Sequence, residues 1–152
     1  ASQVNEEAKV AMAQASLQAG LAFSNAILGL VHAMSHQVGG LLDLPIDEIS
    51  SILLPYVMRF NLISSMDKYV EIARAMGAKV ENMTTREAAE KAIEMVQKLS
   101  TDVKIPSGLS EIGLPEELIP QLSQNAIKDA CFITNPRDAD VEDIKEIFYS
   151  AL

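Results

Sequence analysis

Two histidines are the residues best suited to chemistry at neutral pH, and they stand four positions apart in Val31-His32-Ala33-Met34-Ser35-His36. On an α-helix that spacing puts both rings on one face, where two imidazoles can share a divalent cation or flank a substrate. The pair alone does not specify a metal centre. Such sites draw three or four donors from the protein, and a helical histidine pair more often serves as a hydrogen-bonded structural element. Other candidates fall away on geometry. Ser35 adjoins His36, but neighbours on a helix point in different directions, so a serine nucleophile activated by that ring is not expected. Cys131 is the only cysteine, and its plainer reading is a small buried apolar residue rather than a reactive thiol. The acidic pairs Glu6-Glu7 and Glu116-Glu117 suit first turns of helices, near the positive end of the dipole, better than catalytic carboxylates.

The elements that must position these side chains read as helices throughout. Apolar residues recur at helical spacing and no short run alternates as a half-buried strand would, so the expected class is all-α, a bundle of six to eight helices. Asn5 caps a first helix running to about Gly20, and a second covers roughly 25–38 and carries both histidines until Gly39-Gly40 releases the chain. Asp47-Glu48 opens the next, with Pro55 expected to kink it or to start its main segment, and another spans Tyr69–Met76 before Gly77. Thr84 or Thr85 caps Arg86–Leu99, with Ala88, Ala92, Val96 and Leu99 as its apolar stripe. Ile105-Pro106-Ser107-Gly108 is a turn. Pro115 opens a helix over 116–130, Asn135-Pro136-Arg137 breaks the pattern, and a last helix covers about 141–151. With no repeat or linker in 152 residues, residues 1–152 read as one domain.

Composition narrows the partners. Twelve Lys and Arg against 21 Asp and Glu give a net charge of −9, which repels phosphate backbones and anionic lipid, so neither nucleic acid nor membrane is expected. The most apolar stretch, Leu17 to Leu42, is interrupted by Gln18, Ser24, Asn25, His32, Ser35, His36 and Gln37. It reads as protein core rather than a bilayer span. A lone cysteine and an N-terminus (Ala1-Ser2-Gln3-Val4) without the features of a signal peptide point to the cytoplasm. A chain beginning at Ala1 without Met is read as a processed or excised product.

A long ordered series of residues carries a resemblance. It begins with Gly20-Leu21-Ala22-Phe23-Ser24-Asn25 and Gly29-Leu30-Val31-His32-Ala33-Met34-Ser35-His36, followed by Gly39-Gly40, Asp43-Leu44-Pro45 and Ile52-Leu53-Leu54-Pro55-Tyr56-Val57-Met58-Arg59-Phe60-Asn61. It continues through Ile105-Pro106, Leu109, Gly113, Asp129-Ala130-Cys131, Thr134-Asn135-Pro136-Arg137 and Val141-Glu142-Asp143-Ile144. This pattern resembles that of the iron-containing, group III alcohol dehydrogenases. They share the dehydroquinate synthase-like fold, with an N-terminal nucleotide-binding α/β domain and a C-terminal helical domain holding the metal. The chain is similar to most of that second domain.

The resemblance implies that His32 ligates a divalent metal, iron or zinc, and that His36 lies beside substrate and nicotinamide as a catalytic residue. It also implies a further histidine fourteen positions after His32, where this chain has Ile46 in Pro45-Ile46-Asp47. The remaining ligands, an aspartate and a histidine four apart, would lie upstream of Ala1. One ligand of four is therefore present. Metal is expected to be weakly held, with Asp43 or Asp47 as the only extra oxygen donors nearby. NAD or NADP would bind only if a nucleotide-binding domain were supplied, since no Gly-rich phosphate loop follows a strand here. The partner is expected to be that N-terminal domain, or a second copy of the chain through self-association. Two functions follow: part of a metal-dependent, NAD(P)-linked alcohol dehydrogenase that is inactive by itself, or a non-catalytic helical module that keeps the family core for packing.

Overall fold

Helices form every regular element of residues 5–152, the part that the computed structural model describes. The expectation drawn from Ala1-Ser2-Gln3-Val4 falls outside it. In chain order the helices are α1 (Glu6–Ala26), α2 (Leu30–Leu42), α3 (Ile46–Ala75), α4 (Thr85–Asp102), α5 (Ile119–Ala126) and α6 (Val141–Ser150), with 3₁₀ turns at Glu116–Leu118 and Ala130–Thr134. The all-α class and the count of six agree with the sequence reading.

The core lies where α2, the first half of α3, α5 and α6 converge. Leu30, Met34, Ile49, Leu53, Ile119, Ile144 and Phe148 are wholly buried there. Each such side chain contributes about 1.5–3 kcal/mol by leaving water. A second cluster joins the later half of α3 to α4 through Met58, Leu62, Tyr69, Ala73, Ala89, Ala92 and Ile93. The start of α4 is locally encoded. Thr84 and Glu87 form a reciprocal capping box, which satisfies two backbone donors that the first turn leaves free.

Several boundaries differ from the expected ones, for identifiable reasons. α1 runs on to Ala26, past Gly20, and Asn25 closes its last turn by donating from Nδ2 to the Leu21 carbonyl at 2.8 Å instead of opening α2. The apolar stretch Leu17 to Leu42 is therefore two helices bent by 106°. Gly39-Gly40 does not end α2. The helix continues to Leu42, and Asp43 takes the left-handed cap at φ 53°, a conformation its short polar side chain tolerates. Gly39 serves contact instead: a Cβ there would lie 3.1 Å from the Cγ1 of Ile46.

The two helices expected over this stretch are joined within α3 across a kink that falls between them. Pro55 is buried within α3 without a break in helical dihedrals, and the departure comes at Ser65 (φ −137°, ψ 18°). α3 is also long and apolar enough to cross a bilayer, but half of its most apolar window is buried in the molecule. The helix expected over 116–130 is shorter. It ends at Ala126, and Asp129 caps the following 3₁₀ turn by accepting from the Cys131 amide. The other bundle members bury a stripe each, whereas α1 buries none of its residues and leaves Val10, Met12, Leu17, Leu21 and Phe23 more than half exposed.

Candidate functional site

The first turn of α2 is positioned from far along the chain. Gly29 precedes it without a side-chain cap. The Leu30 amide instead donates to Oδ1 of Asn135 at 3.2 Å. A Cβ on Gly29 would sit 3.2 Å from that same oxygen, so glycine leaves room for the cap. Asn135 also exchanges two amide hydrogen bonds with Asn61 of α3, at 3.0 and 2.9 Å, and donates to the Arg137 carbonyl. The Arg137 guanidinium lies 3.9 Å from the centroid of the Phe60 ring and donates to the Phe60 carbonyl. Thr134 donates to the Leu28 carbonyl. Thr134-Asn135-Pro136-Arg137 thus ties the start of α2 to the middle of α3.

Held this way, α2 presents His32 and His36 on one face, their ring centroids 6.3 Å apart and edge to face. His32 faces an open cleft of about 550 Å³ whose walls include Gly29, Ser50, Asn61, Lys68 and Asn135. Burial, and then repulsion from His36, holds its imidazole below the ordinary histidine value. His36 turns toward the other side, where its Nδ1 lies 2.9 Å from Oδ2 of Asp129. Gln37 Nε2 approaches the same oxygen at 3.5 Å. Burial works against the charge on Asp129, but the Cys131 amide and the His36 ring outweigh it and hold the carboxyl below its usual range. Burial and then the Asp129 carboxylate push the Cys131 thiol up, which keeps it protonated at neutral pH.

Asp129 is the residue that site reasoning from sequence passed over. It lay in a matched segment, but nothing local signals a partner for a histidine 93 positions away. The structure also separates the two histidines' surroundings. His36, Asp129 and Cys131 each offer a donor atom within 4.8 Å of the others, and among the described residues this is the group of three or more such side chains that could hold a cation. His32 is not in it. Ile46, 42% exposed, packs against Gly39, and it brings no donor to the face that carries His32. The side chains of this chain therefore do not make up the metal site that the family pattern implies.

Comparison with known proteins places this arrangement in a family. Residues 1–152 match the C-terminal part of the Fe-containing alcohol dehydrogenase family. The chain is 44% identical over 147 residues to 1,3-propanediol dehydrogenase from Klebsiella pneumoniae, an alignment covering 97% of this chain and 38% of that protein. It is likewise 44% identical to the NAD-dependent methanol dehydrogenase of Bacillus methanolicus, over 96% of this chain and 38% of that one. The crystal structure of a 1,3-propanediol oxidoreductase superposes with a TM-score of 0.97 at 44% identity, covering 98% of this chain and 39% of the other. The chain thus spans about two fifths of the length of these relatives. It belongs to the iron-containing alcohol dehydrogenase family, as the helical C-terminal part.

Proposed function

We propose that this chain is the helical part of a NAD(P)-linked oxidoreductase that interconverts an alcohol and its carbonyl compound by hydride transfer in the cytoplasm, and that it is inactive by itself. The observation that carries the reading is the α2 face, where two family-matched histidines lie side by side and His36 is oriented by Asp129. An imidazole whose Nδ1 is fixed by a carboxylate has its other nitrogen free to meet a substrate oxygen or proton. His32 would be this chain's metal donor, to iron or zinc. A polypeptide resembling the upstream three fifths of the relatives would supply the other ligands and the nicotinamide site. When bound, such a cation would polarise the alcohol oxygen. Relatives named for 1,3-propanediol and for methanol are equally similar to this chain, so overall identity does not choose the alcohol.

Ile46 favours a second reading, in which the chain is a non-catalytic module that has kept the family core for packing. One experiment separates the two. The purified chain, supplied with zinc or ferrous iron, NAD⁺ or NADP⁺ and short primary alcohols or diols, is expected to generate no reduced nicotinamide. Joined behind the upstream part of a related 1,3-propanediol dehydrogenase and carrying Ile46→His, it is expected to gain turnover that His36→Ala removes. Turnover by the isolated chain would refute its inactivity, and a well-folded but inactive Ile46→His chimera would favour the packing module.

A further inference from the structure

The donors implied by the family resemblance centre on His32, but the donors that converge in this chain centre on His36. We propose that His36, Asp129 and Cys131 form a separate site for a borderline-soft divalent cation of the zinc type. It draws one nitrogen, one oxygen and one sulfur from α2 and from the 3₁₀ turn after α5. This assignment does not depend on the oxidoreductase reading.

Three observations support it. The donor atoms come from two segments brought together by the fold and lie within 4.8 Å of one another. Tetrahedral zinc with ordinary bond lengths to nitrogen, oxygen and sulfur sets its ligand atoms about 3.3–3.6 Å apart. Side-chain rotations moving a donor by about 1 Å would close the set. The geometry is also held: the Cys131 amide donates to Oδ1 of Asp129 at 2.8 Å while Oδ2 faces the imidazole. The carboxylate is thus held between the Cys131 backbone and the ring before any cation arrives. Finally, the His36 side chain is 35% exposed and that of Asp129 16%, which leaves an entry path and room for water as a fourth ligand. A nitrogen, sulfur and oxygen set suits zinc and cobalt better than magnesium or calcium, which prefer oxygen alone.

Binding rearranges protons in a defined way. The proton that Nδ1 shares with Asp129 moves to Nε2, freeing the Nδ1 lone pair. The Cys131 thiol gives its proton to solvent and binds as thiolate.

The test uses the whole chain with Zn²⁺ and Co²⁺ as probes. One zinc per chain is expected, with release of about one proton near neutral pH when calorimetry is repeated in buffers of different ionisation enthalpy. Co²⁺ should show a thiolate charge-transfer absorption in the near ultraviolet that Cys131→Ser abolishes. Cys131→Ser and Asp129→Asn should each weaken zinc binding by at least about tenfold, whereas His32→Gln should change it by less than about twofold. Because the chain has a single cysteine, zinc should also slow alkylation of the unsubstituted protein, a readout that needs no variant to fold. Absence of zinc binding would overturn the proposal. So would binding that His32→Gln removes and Cys131→Ser spares, or alkylation unaffected by saturating zinc.

Discussion

His36 and Asp129 are joined across 93 positions of sequence by a 2.9 Å contact between Nδ1 and a carboxylate oxygen. The contact sets the ring's tautomer as well as its orientation, because a carboxylate accepts only from a protonated nitrogen. Asp129→Asn keeps the shape but presents an amide able to donate or accept. Nitrogen-15 shifts of the imidazole are expected to report the Nδ1-protonated form in the parent and a mixture of tautomers in the variant. Since the His36 side chain is 35% exposed, stability should fall by only about 1 kcal/mol or less. Unchanged shifts would mean that the carboxylate does not orient the ring.

The reciprocal amide pair of Asn61 and Asn135 makes a different prediction. Asn135 has hydrogen bonds to Leu30, Asn61 and Arg137 together, so Asn135→Ala should cost about 2–4 kcal/mol and Asn61→Ala about 1–3. In urea denaturation the double variant should fall short of the summed single costs by about 0.5–3 kcal/mol, because each single change strands the other residue's amide and the double variant leaves neither. Strict additivity would show that the pair is not a unit.

How far such features can be read from sequence depends on how local their causes are. The helical class follows from a periodicity spread over the chain, and the Thr84–Glu87 capping box is a four-residue signal, so both were legible. The histidine face was legible because four-residue spacing and helical geometry suffice to place two rings together. The cap of α2 was not, since its acceptor is 105 positions from Leu30. Nor was the role of Gly39, which depends on where Ile46 packs. Asp129 was missed for the same reason, and Gly39-Gly40 misled because glycines mark close approach as well as helix ends.

The junction between α1 and α2 stores strain. Ile27 has φ 62° and ψ −167°, a region that a residue with a β-branched side chain enters only at a cost of about 1–3 kcal/mol. The residue is 57% exposed, so little burial is lost on removing its side chain. Ile27→Gly is therefore expected to stabilise the chain by about 1 kcal/mol after the greater unfolded-state entropy of glycine is counted. A higher urea midpoint at unchanged slope would bear this out, and a lower one would show that the side chain carries packing that outweighs the strain.

Tyr69 links burial to alkaline stability. It is 8% exposed within the cluster joining α3 and α4, and burial pushes its phenol up to about 12. Between the ordinary value of 10 and about 12 the unfolded chain has released this proton and the folded chain has kept it. The contribution is therefore whole below pH 10 and is lost as pH rises toward 12. Phenolate absorbance should include a step near 12 that Tyr69→Phe removes, and the variant should lose less stability than the parent over that window. Equal losses would show that Tyr69 titrates normally.

Ile46 tests whether His32 sits in a latent metal site. On α2, positions 32, 36 and 39 share a face, and the Ile46 side chain packs against Gly39. A donor at position 46 should therefore lie near the face that carries His32. At 42% exposure the isoleucine contributes little burial, so Ile46→His should cost only about 1 kcal/mol. Zinc titrations are best compared in a Cys131→Ser background, which weakens the His36, Asp129 and Cys131 cluster. There Ile46→His should raise affinity by about tenfold or more, because a second ring on the same site adds a donor without a new association cost. His32→Gln should cancel the gain. If the gain survives that change, the new imidazole is working with some other donor. If there is no gain, positions 32 and 46 do not converge on a common cation.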